Sequence, residues 1–284
     1  MHSNHQAEGL QKRQQAACAE PGTWPLAADL DARMITVTSG KGGVGKTQIT
    51  ASLAVAASLR GHRVAVIDAD LGLASMDLAF GVRPDRDLRD VVAGRCSVRD
   101  IVTRGPCDVD LVAACPGRYD MANLSPTERD RLVMALREFA RGYDLVFIDT
   151  GAGIGCTAVT FAALGAVILV VTPDPTSLRD AYAMAKVLHK RCGVRSIHVL
   201  TNQVASEADG FAVYNRVQEI VRRFLDLDLD FLGSVPRDKH VRASVTEGMP
   251  YLLRAPDTPA ARATTHIARE LFDRIEATQA GARS

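Results

Sequence analysis

Residues 40–47 read Gly-Lys-Gly-Gly-Val-Gly-Lys-Thr. This is a phosphate-binding loop of the form G-x-x-x-x-G-K-[ST], and it fixes the architecture around it. Such a loop wraps backbone N–H groups around phosphates, its terminal lysine reaches the outer phosphates, and the following hydroxyl faces Mg²⁺. Lys46 and Thr47 take those places, with Gly40, Gly42, Gly43, Val44, Gly45 and Gln48 completing the nucleotide contact. Upstream, Met-Ile-Thr-Val-Thr (34–38) is a β-branched run, and downstream Thr47 to Arg60 carries Ile49, Leu53, Ala56, Ala57 and Leu59 at helical spacing. Strand, loop, helix is the context the motif needs. A second lysine, Lys41, stands near the start of the loop.

Apolar strand-like runs then alternate with helical patterns: Val64–Ile67, Val109–Val112, Leu145–Ile148, Val167–Val171, Ile197–Leu200 and Phe231–Val235. That alternation predicts an α/β fold, a single-domain P-loop NTPase with a mostly parallel, doubly wound sheet flanked by helices. With 284 residues and 47% hydrophobic content, the chain suffices for one large core. The expected organisation is a mobile leader over 1–33, with a short helical piece at Ala7–Ala17, an ATPase body over 34–276 and a tail over 277–284. The leader has no apolar stretch of the kind a secretory peptide needs, and no run of about 18 apolar residues occurs anywhere. A cytoplasmic protein is expected.

In open α/β sheets, ligands sit at the carboxyl ends of the strands. The second run ends in Val-Ile-Asp-Ala-Asp-Leu-Gly-Leu (66–73), which places Asp68 and Asp70 just past the sheet. The 145–148 run ends in Asp-Thr-Gly-Ala-Gly, which places Asp149 in the corresponding position. An Asp after one strand can be a plain helix cap. Three of them beside a phosphate loop point to a Mg²⁺ water shell and an aligned attacking water, because phosphoryl transfer needs mainly positioning and charge neutralisation.

With these motifs in place, the chain over roughly 34–275 resembles the MinD/ParA class of deviant-Walker ATPases. The resemblance implies ATP and Mg²⁺ as ligands, and an ATP-dependent homodimer in which Lys41 reaches the partner's phosphates. It implies catalytic roles for Lys41, Lys46 and Asp70, metal-site roles for Thr47, Asp68 and Asp149, and a base pocket near Asn202 and Pro236. Segments 68–77, 175–183 and 224–236 are similar to the flagellar-number regulators of the FleN/FlhG branch. That branch implies regulation of flagellar number, placement and gene expression. It implies as partners a flagellar signal-recognition-type GTPase, engaged through residues 4–11, and a flagellar transcription activator or C-ring component. His5 and Gln11 depart from the branch's pattern in that short motif, Ser75 replaces a common Asn, and Cys156 replaces an Asp.

Alternative readings share the loop. A MinD-like cell-division positioning ATPase would use every one of these residues. A ParA-like DNA-partition ATPase needs a basic surface, for which Arg216, Arg222 and Arg223 offer only one short cluster against a net charge of +1, so DNA is not the expected partner. A reductase resembling the nitrogenase iron protein would hold a [4Fe–4S] cluster on Cys115 and Cys156 of two subunits. The six cysteines form no C-x-x-C pair, and the glycines expected after Cys156 are lacking. Ile267, Leu271, Phe272 and Ile275 share one helical face whose flanking charges are mixed. That pattern suits a helix packed on the sheet better than a membrane anchor, and peripheral attachment to the inner face of the cell membrane rests on the resemblance.

Overall fold

The computed structural model describes residues 33–72, 75–114 and 124–281. Its centre is an eight-stranded sheet of order β3-β4-β2-β5-β1-β6-β7-β8. The strands are β1 (Met34–Thr38), β2 (Val64–Ala69), β3 (Val102–Arg104), β4 (Asp110–Val112), β5 (Leu145–Thr150), β6 (Ala166–Val171), β7 (Ile197–Val204) and β8 (Asp230–Pro236). All pair in parallel except β3, which runs antiparallel to β4. This edge strand is a departure from the sequence expectation. Its three residues are at most half-buried, so no apolar run marks them, and it is held by ladder bonds to β4 rather than by a hydrophobic face.

The helices are α1 (Lys46–Leu59), α2 (Met76–Phe80), α3 (Leu88–Val92), α4 (Pro126–Ala140), α5 (Cys156–Ala162), α6 (Pro175–Cys192), α7 (Glu207–Leu225), α8 (Lys239–Glu247), α9 (Tyr251–Arg254) and α10 (Pro259–Gly281). Central strands buried on both faces read as continuous apolar runs, and β1, β2 and β5 are buried along their whole length. Ile35, Val37, Val66 and Phe147 point to one face, under Ile49 and Leu53 of α1 and Ile267, Leu271 and Phe272 of α10. On the other face, Ile67, Val146 and Ile148 meet α4 and α5, and Val167, Leu169 and Val199 meet α6 and α7. The sheet is therefore doubly wound, with β1 at its middle.

Ile267, Leu271 and Phe272 are at most 3% exposed, and Ile275 packs partly buried against the same cluster. The apolar face of α10 is thus spent on the sheet. Among the described residues, no helix is long and apolar enough to cross a membrane. The helix continues to Gly281, past the point where the sequence suggested a tail. The leader, including residues 4–11 and the helical piece at 7–17, lies outside the described residues, as does Cys115.

Candidate functional site

Because β1 lies centrally, the turn leaving it opens at the carboxyl edge of the sheet, between the ends of β2, β5 and β6. The phosphate loop occupies that turn. Gly40 must be glycine because a Cβ there would lie 2.0 Å from the carbonyl oxygen of Asp180 in α6. Gly45 holds φ +91 at the start of α1, a conformation that side chains oppose. The N-terminus of α1 has neither a side-chain cap nor an acidic residue in its first turn. Its N–H groups and the positive end of the helix dipole are left for an anion. α6 is the contrast, since Asp174 caps it by accepting from the Thr176 and Ser177 N–H groups at 2.8 and 3.3 Å.

Beside the loop is a cavity of about 550 Å³, lined among others by Gly43, Lys46, Thr47, Asp70, Ser75 and Gly151. Lys46 is only 8% exposed, and burial pulls its pKa down against the opposing charges of Asp149 and Asp70. Thr47 donates its hydroxyl to Asp149 Oδ2 at 2.7 Å and lies 3.2 Å from Ser75 Oγ. Thr50, one turn further along α1, donates to Asp149 Oδ1 at 3.3 Å. Asp68 pairs in register with Asp149 on the adjacent strand. Its carboxylate accepts from the N–H groups of Asp70, Ser75 and Met76, each at 3.0 Å. Asp68 therefore shapes the turn that carries Asp70. Asp70 itself stands at the cavity edge, its Oδ1 3.3 Å from where a Cβ on Gly151 would be.

Asp68 and Asp149 are each 1% exposed. Burial, and for Asp68 the neighbouring charge of Asp149, pushes their pKa values up to about 7 and about 6, while the Thr47 hydroxyl and Lys46 pull Asp149 the other way. Two adjoining buried carboxyls beside a threonine hydroxyl fit a Mg²⁺ site that is completed by phosphate oxygens and water. No group of three or more His, Cys, Asp or Glu side chains that could hold a metal occurs among the described residues.

Lys41 does not face this cavity. Its Nζ donates to Thr176 Oγ1 at 2.6 Å and lies 3.2 Å from Asp174 Oδ1. Asn202 approaches the loop from outside, donating from Nδ2 to the Val44 carbonyl at 2.8 Å. Pro236 ends the neighbouring strand, paired with Val204. Gln48 lines the cavity, and its Oε1 accepts from Ser244 at 3.3 Å. Sequence reasoning did not single out Thr50, Asp174, Thr176 or Gln203 as site residues. Thr176 sits in the 175–183 segment and Asp174 immediately before it, which was the signal available for them. The Arg216, Arg222 and Arg223 cluster lies on the exposed side of α7, and Arg222 is 3.7 Å from Asp228. Cys156 opens α5 and accepts from Arg129 Nη1 at 2.9 Å.

The fold and loop together define a P-loop nucleotide-binding protein. The family described as CobQ/CobB/MinD/ParA nucleotide binding domain matches residues 35–251, and the chain belongs to this family. It is 38% identical over 240 residues to the antiactivator FleN of Pseudomonas aeruginosa, covering 84% of this chain and 86% of that one. It is 30% identical over 246 residues to the flagellum site-determining protein YlxH of Helicobacter pylori, covering 86% and 83%. Among solved structures, the septum site-determining protein MinD of Pyrococcus horikoshii, complexed with Mg-ADP, superposes with a TM-score of 0.71 at 28% identity, covering 84% and 95%.

Proposed function

We propose that this protein is an ATP-hydrolysing switch that dimerises on binding ATP and regulates flagellar number, placement and gene expression. The observation that carries the switch is Lys41. It belongs to the phosphate loop, yet Asp174 and Thr176 hold it away from its own cavity, so it would serve the phosphates of a second copy by exchanging its Asp174 ion pair for them. The likeness to FleN and YlxH supports the flagellar assignment.

In this reading the loop N–H groups and Lys46 bind the phosphates, Thr47 and Asp149 hold Mg²⁺ with Asp68 supporting its water shell, and Asp70 orients the attacking water. Bound Mg²⁺ would neutralise charge on the outer phosphates. A closed, water-poor interface would strengthen the attraction of Lys41 for those phosphates, so dimerisation and hydrolysis are coupled. Asp68 acts by holding the turn of Asp70 in place. Residues 34–276 form the ATPase unit. Residues 4–11 are proposed to engage a flagellar signal-recognition-type GTPase, and a flagellar transcription activator or C-ring component is the proposed further partner. Peripheral membrane association would need a surface other than Ile267, Leu271 and Phe272, which are core.

The test is the solution mass of Asp70→Ala, with and without Lys41→Ala, in Mg-ATP and Mg-ADP. Mass doubling only with ATP, abolished by loss of Lys41, is the expected result. A mass indifferent to nucleotide would remove the basis of the switch. Flagellar counts in a deletion strain test the biological assignment, and minicells with normal flagellation would instead favour a cell-division role.

A further inference from the structure

The carboxyl end of β7 has an irregularity that the nucleotide-binding reading leaves unused. In the pairing of β7 with β8, Asn202 lies opposite Val235 and Val204 opposite Pro236, and the register shifts between them. Gln203 is the extra residue. Its φ is +59, the left-handed region that a glutamine occupies only under constraint. A bulge of this kind re-aims a side chain out of the alternation of its strand. Here the re-aimed amide reaches the phosphate loop, where Nε2 donates to the Gly43 carbonyl at 3.2 Å. Asn202 beside it donates to the next carbonyl, that of Val44, at 2.8 Å, and its own Oδ1 accepts from the Gln203 N–H at 2.9 Å. Only the nitrogen end of each amide can bond a carbonyl, so both orientations are fixed by chemistry.

A loop that cradles an anion must turn its N–H groups inward, and its carbonyls then point outward and need donors of their own. Gly43 achieves this with φ +76 and Gly45 with φ +91. The packing on the outer side is tight, since a Cβ on Gly45 would lie 2.5 Å from Asn202 Nδ2.

We infer that Gln203 is a positioning residue for nucleotide binding: its bulged backbone and its amide brace the outward Gly43 carbonyl and hold the loop in its anion-binding shape. This rests on the nucleotide-binding reading above and adds to it a residue on a different strand, whose role is separable into a side-chain part and a backbone part.

The experiment is fluorescence titration of the full-length protein with mant-ADP and Mg²⁺, alongside thermal melting without nucleotide, for wild type, Gln203→Ala, Gln203→Glu and Gln203→Gly. Loss of one hydrogen bond to the loop should weaken binding about 3- to 10-fold in the Ala variant. The Glu variant should be at least as weak, because a carboxylate cannot donate to a carbonyl. The Gly variant relieves the left-handed backbone, so it should melt no lower than wild type and still bind as weakly as the Ala variant. Wild-type affinity in all three variants overturns the inference. So does a Gly variant that binds like wild type, which would assign the effect to backbone strain alone. Affinity that falls only in step with melting temperature overturns it as well, by making the role structural. Wild-type protein that binds no Mg-nucleotide would instead sink the functional reading, and this inference with it.

Discussion

Lys41 and Asp174 form a 3.2 Å ion pair that ties the phosphate loop to the first turn of α6. The Thr176 and Lys41 hydrogen bonds hold the Asp174 carboxyl well below the usual range, so it stays ionised at any ordinary pH. Lys41→Ala should leave monomeric Mg-ADP affinity within about 2-fold of wild type, since the side chain makes no contribution to its own cavity, and should lower ATP turnover at least about 10-fold. Asp174→Ala should do the reverse for assembly, releasing Lys41 and shifting the ATP-dependent dimer to lower protein concentration. Light scattering across a dilution series checks the Asp174→Ala outcome, and nucleotide titration with a phosphate-release assay checks Lys41→Ala, in which a large loss of Mg-ADP affinity would contradict the geometry.

The buried carboxyl pair makes a pH prediction. Burial pushes the adjoining Asp68 and Asp149 carboxyls well above the ordinary carboxylate range. A carboxyl whose pKa is raised on folding favours the folded state at low pH, and that contribution is lost as pH climbs from about 4 toward 7. Asp149→Asn removes one of the two charges. Its melting temperature in metal-free buffer should therefore gain on wild type as pH rises from 5 to 7.5 (a range of about 2.5 units). Mg-ADP should narrow the gap by stabilising wild type more. Parallel melting curves across that range would contradict the assigned pKa shifts.

Much of this was legible in the sequence because the determinants are local. The phosphate loop specifies its own backbone, and Asp68, Asp70 and Asp149 follow apolar runs that end where the sheet ends. The missing parts are those that depend on approach from elsewhere. Asp174 and Thr176 meet Lys41 only because α6 begins beside the loop, with Gly40 packed against the Asp180 carbonyl. Gln203 reaches Gly43 because of one extra residue in β7, and no periodicity reveals a single-residue bulge. Strand β3 escaped because three residues at an edge need no apolar pattern.

Phe272 tests the assignment of α10 to the core. Its ring is 1% exposed, 6.4 Å from Phe147 and 5.8 Å from His62 between centroids, and the Arg60 guanidinium lies 5.7 Å above it. Phe272→Ala should cost about 3–5 kcal/mol of stability, the range for emptying a large core position. In denaturant melts this appears as a lower midpoint with an unchanged slope. A membrane-anchor role for the same face predicts the opposite pattern: unchanged stability and lost binding to anionic vesicles.

Cys156 offers the last prediction. It opens α5, whose first turn contains no acidic residue, and its sulfur accepts from Arg129 at 2.9 Å. A thiol is a weak acceptor in a position where a carboxylate would pair with the guanidinium and also oppose the positive end of the helix. Cys156→Asp should therefore stabilise the fold by about 0.3–1 kcal/mol, or about 1–4 °C in melting temperature for a chain of this size. Cys156→Ser should leave it near wild type. Because α5 follows directly on the Gly151–Gly155 turn behind Asp149, firmer anchoring there should also slow any rearrangement of that turn, read as reduced turnover at unchanged Mg-ADP affinity. If Asp and Ser at this position give the same melting temperature, the Arg129 contact is incidental and the turn is held by its backbone alone.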